Sequence, residues 1–150
     1  MNQPRTQIYD VNTGGYAPDW TSTAGKLIIT PVVYANQTAI ALSDSAIAVN
    51  WKRREGSAAE SALTAGETVS GNVLTVSANK LTDVSSGLLT YIAYISYLDP
   101  DNGLATNATA DISFALVKTG ENAKSTWISG AQVFKYDADG AVSPAQITLT

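Results

Sequence analysis

The clearest alternation of apolar and polar positions runs from Ala46 to Arg54, with the sequence AIAVNWKRR. In an extended chain one side would carry Ile47, Val49, Trp51 and Arg53, and the other Ala48, Asn50, Lys52 and Arg54. A period of two is typical of a strand with one buried face. The pattern therefore predicts a β-strand whose tryptophan, Trp51, points into the core.

Other segments rich in β-branched and aromatic residues lie between turn residues and predict further strands. They are Thr6–Val11, Lys26–Ala35, Thr38–Leu42, Glu67–Ser70, Asn72–Ala78, Leu88–Leu98 and Thr106–Lys118. Leu88–Leu98 is apolar on both faces, as expected for a central strand. Pro31 cannot donate to a ladder, so the strand around it is at an edge, bulged, or switches sheets there. Asp99–Gly103 predicts a hairpin turn.

The predicted fold is all-β, an immunoglobulin-like sandwich, because about seven strands by Lys118 is the count of that architecture. We assign the sandwich to residues 1–118 and a linker to residues 119–124. Residues 125–150 carry strand-like segments around the turn Asp137–Gly140. Two strands cannot bury a core alone, so this C-terminal β-hairpin-like extension either docks on the sandwich or begins a second module.

Composition removes several classes of function. The chain has no cysteine and no histidine, which excludes disulfides, Cys/His zinc sites and histidine catalysis. A net charge of −4 argues against a nucleic-acid binder, which needs a basic face. No apolar run approaches the ~18 residues of a membrane span, and the N-terminus lacks the apolar region of a signal peptide. We therefore expect no membrane association and, if Met1 is the native start, assembly in the cytoplasm.

The sequence offers little support for a metal site or a catalytic site. Asp99 with Asp101 and Asp137 with Asp139 have spacings that calcium sites use, but neither stretch supplies the twelve-residue loop with a terminal glutamate. Asp and Asn in such positions satisfy their own backbone, so turns are the favoured interpretation. The three glutamates at positions 55, 60 and 67 lie on a connection without an inferable apolar pocket. We predict no enzyme activity, no metal and no cofactor.

Four side chains are candidate contact residues: Trp20, Lys52, Arg53 and Arg54. Trp20 either anchors its loop on the sandwich, which we favour, or contacts a partner. The basic run either forms a polar strand face, again favoured, or contacts an anion or glycan. Three tyrosines at positions 91, 94 and 97 suggest a binding platform, but core packing is the preferred interpretation for such an apolar strand.

Three stretches together resemble the immunoglobulin-like modules of tail and baseplate proteins from phages of Gram-positive bacteria. TQIYDVNTGGYAPDW is similar to their first strand and Trp-bearing loop, and AIAVNWKRREG followed by NVLTVSANKL to their tryptophan strand and its successor. SGAQVFKYDADGAVSPAQITLT resembles the linker and first strand of a following module.

The resemblance implies a non-enzymatic structural or adhesive part of a virion, in a phage tail, fibre or baseplate, acting as a spacer or attachment module. The partners it implies are other tail or baseplate subunits, with a homotrimer and host cell-wall glycan as further candidates. The alternative is a bacterial cell-surface adhesin or pilus-like module that binds a host protein or glycan.

Overall fold

The structure, a computed structural model, describes residues 4–35, 37–120, 135–136 and 142–143. The strands are β1 Thr6–Tyr9, β2 Tyr16–Ala17, β3 Leu27–Ile29, β4 Val33–Ala35, β5 Thr38–Ile40, β6 Ile47–Glu55, β7 Glu67–Ser70, β8 Val73–Val76, β9 Leu88–Leu98, β10 Ala105–Lys118, β11 Lys135–Tyr136 and β12 Val142–Ser143. One 3-10 helix, Lys80–Asp83, joins β8 to β9. In the part of the chain described, no helix is long and apolar enough to cross a membrane.

The larger sheet has the order β2-β1-β10-β9-β6. All neighbours in it are antiparallel except β1, which runs parallel to β10. The smaller sheet has the order β3-β8-β7, and β4 and β5 form a separate hairpin. Strand β9 is therefore an interior strand of the larger sheet, between the longest strand, β10, and the tryptophan strand, β6, which lies at the edge.

This connectivity is that of an immunoglobulin-like sandwich. With the seven strands of that fold labelled A to G, strands B, E and D form one sheet, and strands C, F and G form the other. Here β3, β8 and β7 take the first set of positions, and β6, β9 and β10 the second. Strand β1 joins the larger sheet through β10 instead of pairing with β3. The predicted all-β sandwich is confirmed.

The core lies between the two sheets and is built on the inward faces of β6 and β9. Trp51 is 6% exposed, as its alternation predicts, and packs with residues from both sheets and from the Trp20 loop. Phe114 of β10 contacts the Trp20 ring edge-on, with ring centroids 5.7 Å apart. Aromatic side chains thus supply much of the buried apolar area that stabilises the fold.

Two turns show how local sequence determines the strand ends. At Pro31 the chain leaves the β3 sheet and enters the β4–β5 hairpin, so the third of the predicted outcomes, a switch of sheets, is the one adopted. The β7–β8 turn has positive φ at both Gly71 and Asn72, at 54° and 67°. Two successive positive φ values make a type I′ turn, which matches the twist of a tight hairpin.

The C-terminal predictions fall mostly outside the described residues. Strands β11 and β12 pair antiparallel over two residues each, in a region where a hairpin is predicted. The linker at 119–124, the carboxylates of Asp137 and Asp139, and the choice between a docked hairpin and a second module stay predictions.

Candidate functional site

Trp20 is a core residue, not a contact surface. It is 1% exposed, which agrees with the anchor interpretation and leaves it no surface to offer a partner. Asn79 fixes the loop around it: its side-chain oxygen accepts from the Trp20 backbone N–H at 2.9 Å and from the Gln7 amide at 2.7 Å. The Asn79 amide donates to Asp19 at 2.8 Å, and this bond, with those from Thr21, lowers the pKa of the Asp19 carboxyl.

The basic run does not form one surface, because strand alternation divides it. Arg53 points inward with Trp51 and is 3% exposed, so its candidacy as a contact residue is wrong. Lys52 and Arg54 lie on the opposite, outer face of β6 and are half-buried. Only these two of the four candidate contact residues have side chains that a partner can reach.

Arg53 is instead part of a buried polar cluster that joins the two sheets. Its guanidinium Nη1 lies 3.3 Å from Glu67 Oε1 and donates to Thr64 Oγ1 at 2.7 Å. Glu67, on β7, has a fully buried side chain and accepts a 2.6 Å hydrogen bond from the Tyr91 hydroxyl. At the outer end, Arg53 Nη2 pairs with the half-exposed Glu55 at 2.5 Å.

The charged groups of this cluster are buried and bonded to one another. Burial, and then the hydrogen bond to Glu67, raise the pKa of Tyr91 far above its ordinary value, so this phenol keeps its proton at any physiological pH. Glu67 accepts three further bonds, two from Thr64 and one from Arg53, so both of its carboxyl oxygens have partners. A buried charge that is paired and hydrogen-bonded in this way is a structural feature.

Sequence reasoning treats Arg53 as one member of a surface run, although the signal for burial is present. Arg53 lies two residues after Trp51 and so shares its inward face. The sequence does not show that Arg53 lies beside Glu67 and Tyr91, because these two residues belong to strands that are distant in the chain.

The three tyrosines of β9 do not form one platform. Tyr91 is buried, Tyr97 is half-buried, and Tyr94 points to the opposite face of the sheet, where it is 40% exposed. The reason is that a spacing of three residues in a strand changes face. The prediction of core packing is therefore correct for Tyr91 and wrong for Tyr94.

On the outer face of the larger sheet, β6, β9 and β10 form a shallow groove, which we call the β9 groove. Its volume is about 440 Å³, and it is lined by Ala48, Val49, Asn50, Tyr94, Ile95, Ser96, Asn107, Ala108 and Thr109. The register aligns Asn50, Tyr94 and Thr109 in one row across the strands, and Ala48, Ser96 and Asn107 in the next. The groove exists because the second row carries small side chains beside the large ring of the first.

The predicted turn at Asp99–Gly103 is confirmed as a turn. The Asp99 carboxylate accepts from the Asp101 backbone N–H and from the Asn102 amide, at 2.9 and 2.8 Å. These oxygens thus satisfy local donors. In the described ranges, no group of three or more His, Cys, Asp or Glu side chains is placed to hold a metal ion.

Comparison of the chain with protein-family models, with curated proteins and with solved structures finds no match.

Proposed function

We propose that this chain is a non-enzymatic structural and adhesive module of a phage tail, fibre or baseplate. The observation that carries the proposal is the immunoglobulin-like sandwich built around Trp51, which contains the stretches before residue 119 that resemble tail modules of phages infecting Gram-positive bacteria. In such a role the module spaces or joins other tail subunits, and it contacts the host surface through its exposed faces.

The polar chemistry of the sandwich supports a structural role. Arg53 and Glu67, its most buried charged side chains, are bonded to one another and to Thr64 and Tyr91. These bonds connect β6, β7 and β9, so the cluster ties one sheet to the other. A spacer module benefits from such a cross-connection because it must keep its shape while its neighbours move.

Exposed apolar side chains on the surface support the adhesive part of the proposal. Large apolar side chains are exposed on the sheet face and at the hairpins, among them Val32, Tyr34, Leu98 and Leu104. Tyrosine is one of the residues that most often anchor protein interfaces, and contiguous exposed apolar surface marks sites of interaction. We assign contacts with other tail subunits, including a homotrimer, to this class of surface.

The genomic neighbourhood of the gene tests the proposal against its alternative. A reading frame beside tape-measure and portal genes is the expected result. An isolated frame with a secretion leader and a cell-wall anchoring signal would overturn the proposal in favour of a bacterial cell-surface adhesin.

A further inference from the structure

The β9 groove has an aromatic wall and a floor of small side chains. Tyr94, a residue that is 40% exposed, forms the wall, and Ala48 and Ser96 form the floor in the next row of the register. The remaining polar lining is made of two asparagines and one threonine: Asn50, Asn107 and Thr109. Every polar side chain that lines the groove is a hydroxyl or an amide, and none carries a formal charge.

One hydrogen bond restrains the orientation of the Tyr94 ring. Its hydroxyl donates a 2.7 Å hydrogen bond to Glu60, which raises the pKa of the Tyr94 hydroxyl. Glu60 is itself held beside β6 by the neighbouring residue, because Ser61 and Arg53 exchange two backbone hydrogen bonds of 2.8 and 3.0 Å. An aromatic side chain whose orientation is already restrained loses little conformational entropy when it binds.

We propose that the β9 groove binds a neutral glycan chain, with one pyranose ring stacked on Tyr94. The apolar C–H face of a pyranose ring matches the face of an exposed phenol ring. Sugar hydroxyls both donate and accept hydrogen bonds, as the amides of Asn50 and Asn107 and the hydroxyl of Thr109 do. Three neighbouring strands span about 10 Å, which accommodates about two sugar rings across the sheet.

The uncharged lining selects against anionic polymers. A phosphate-rich polymer needs cations or convergent backbone N–H groups in its site, and the β9 groove supplies neither a lysine nor an arginine. Lys52 and Arg54 are on the same face, but each has a carboxylate near it. Asp111 lies in the same row as Lys52, and Arg54 acts on the Tyr94 hydroxyl together with the oppositely charged Glu60. This inference deepens the adhesive part of the proposed function and rests on it only for the biological source of the glycan.

Isothermal titration calorimetry with the isolated protein tests the inference. The probes are soluble tetrasaccharides of glucose and of N-acetylglucosamine, with polyglycerol phosphate as the anionic comparison. We expect at least one tetrasaccharide to bind with a Kd of about 1 mM or tighter, and polyglycerol phosphate to bind more weakly. Tyr94→Ala should weaken binding by about tenfold or more, because it removes the stacking surface.

The matched control is Tyr34→Ala, because Tyr34 is also an exposed strand tyrosine, at 66%, but lies on β4 outside the groove. Its affinity should equal that of the parent. A second variant, Ser96→Leu, fills the floor and should abolish binding while the sheet persists by circular dichroism.

Three results would overturn the inference: no binding to either tetrasaccharide, equal losses in Tyr94→Ala and Tyr34→Ala, or a preference for polyglycerol phosphate. None of these bears on the place of the chain in a virion, which the gene neighbourhood tests separately.

Discussion

Trp51 shows at the scale of one residue how the interior of this protein is organised. Its ring fills the space between the sheets, while its indole Nε1–H donates to the Asn72 carbonyl at 3.1 Å. The side chain thus has an apolar body in the core and a satisfied polar tip at the rim, which is how buried tryptophans are usually accommodated. No disulfide assists it, because the chain has no cysteine.

Replacing Trp51 by alanine should lower the free energy of unfolding by about 3–5 kcal/mol, as the loss of a large core aromatic does. Chemical denaturation followed by circular dichroism measures this change. A variant that unfolds at the denaturant concentration of the parent would show that the indole does not support the core.

Arg53→Met should destabilise the protein by about 3–5 kcal/mol, because it leaves the Glu67 carboxylate buried without its cation. The neighbouring variant Arg54→Met is the control, since Arg54 lies on the outer face, and it should change stability by about 0.5 kcal/mol or less. Equal midpoints for the two variants in urea would contradict the buried pairing.

The raised pKa of Tyr91 predicts a loss of stability in alkali. Below about pH 10, the ordinary pKa of tyrosine, folded and unfolded chains both keep the phenol proton. Above it the unfolded chain releases that proton while the folded chain retains it, so the free energy of unfolding falls as the pH rises.

Tyr91→Phe is the variant that isolates this effect. Its baseline stability should be lower, because Glu67 loses a hydrogen bond, but its stability should fall less steeply between about pH 9 and 11 than that of the parent. Melting temperatures measured across this range would refute the assignment if the two slopes were the same.

Asn72 matters at the scale of elements, because it joins the β7–β8 hairpin to the tryptophan strand. Its side-chain amide donates to the Leu42 and Ile47 carbonyls, at 2.9 and 3.3 Å, and its side-chain oxygen accepts from the Val49 N–H at 3.2 Å. The hairpin turn is therefore also a clamp between the two sheets.

Asn72→Gly should cost about 1–3 kcal/mol, since glycine tolerates the positive φ but supplies none of these bonds. Gly71→Asn is the control, because an added Cβ at Gly71 meets nothing within 4 Å and asparagine accepts positive φ. We expect its stability to stay within about 0.5 kcal/mol of the parent in thermal denaturation. A stable Asn72→Gly variant would exclude the clamp.

The sequence predicts those elements whose evidence is local. The alternation around Trp51, the turn at Asp99–Gly103 and the interruption at Pro31 each depend on a few neighbouring residues, and each agrees with the structure. Burial of Arg53 could be inferred from its spacing to Trp51. Its pairing with Glu67 could not, because that contact depends on how the sheets stack.

The β9 groove could not be predicted from the sequence either. It forms where three strands place a row of small side chains beside Tyr94, and the register across strands distant in sequence decides that juxtaposition. Local patterns assign a residue to a face, but they do not say which residues lie beside it on the neighbouring strands.

At the scale of the whole molecule, the sandwich separates stability from contact. Its most buried charged side chains, Arg53 and Glu67, connect the two sheets. Tyr94 and the half-buried Lys52 and Arg54 lie on the outer face. This separation is compatible with the proposed role as a spacer or attachment module.

Mass spectrometry of purified phage particles from the strain that carries the gene tests the tail assignment most directly. We expect peptides of this chain in the particles, enriched in isolated tails, at copy numbers typical of a structural subunit. Absence from the particles, with recovery of the same peptides from the cell surface of uninfected bacteria, would contradict it.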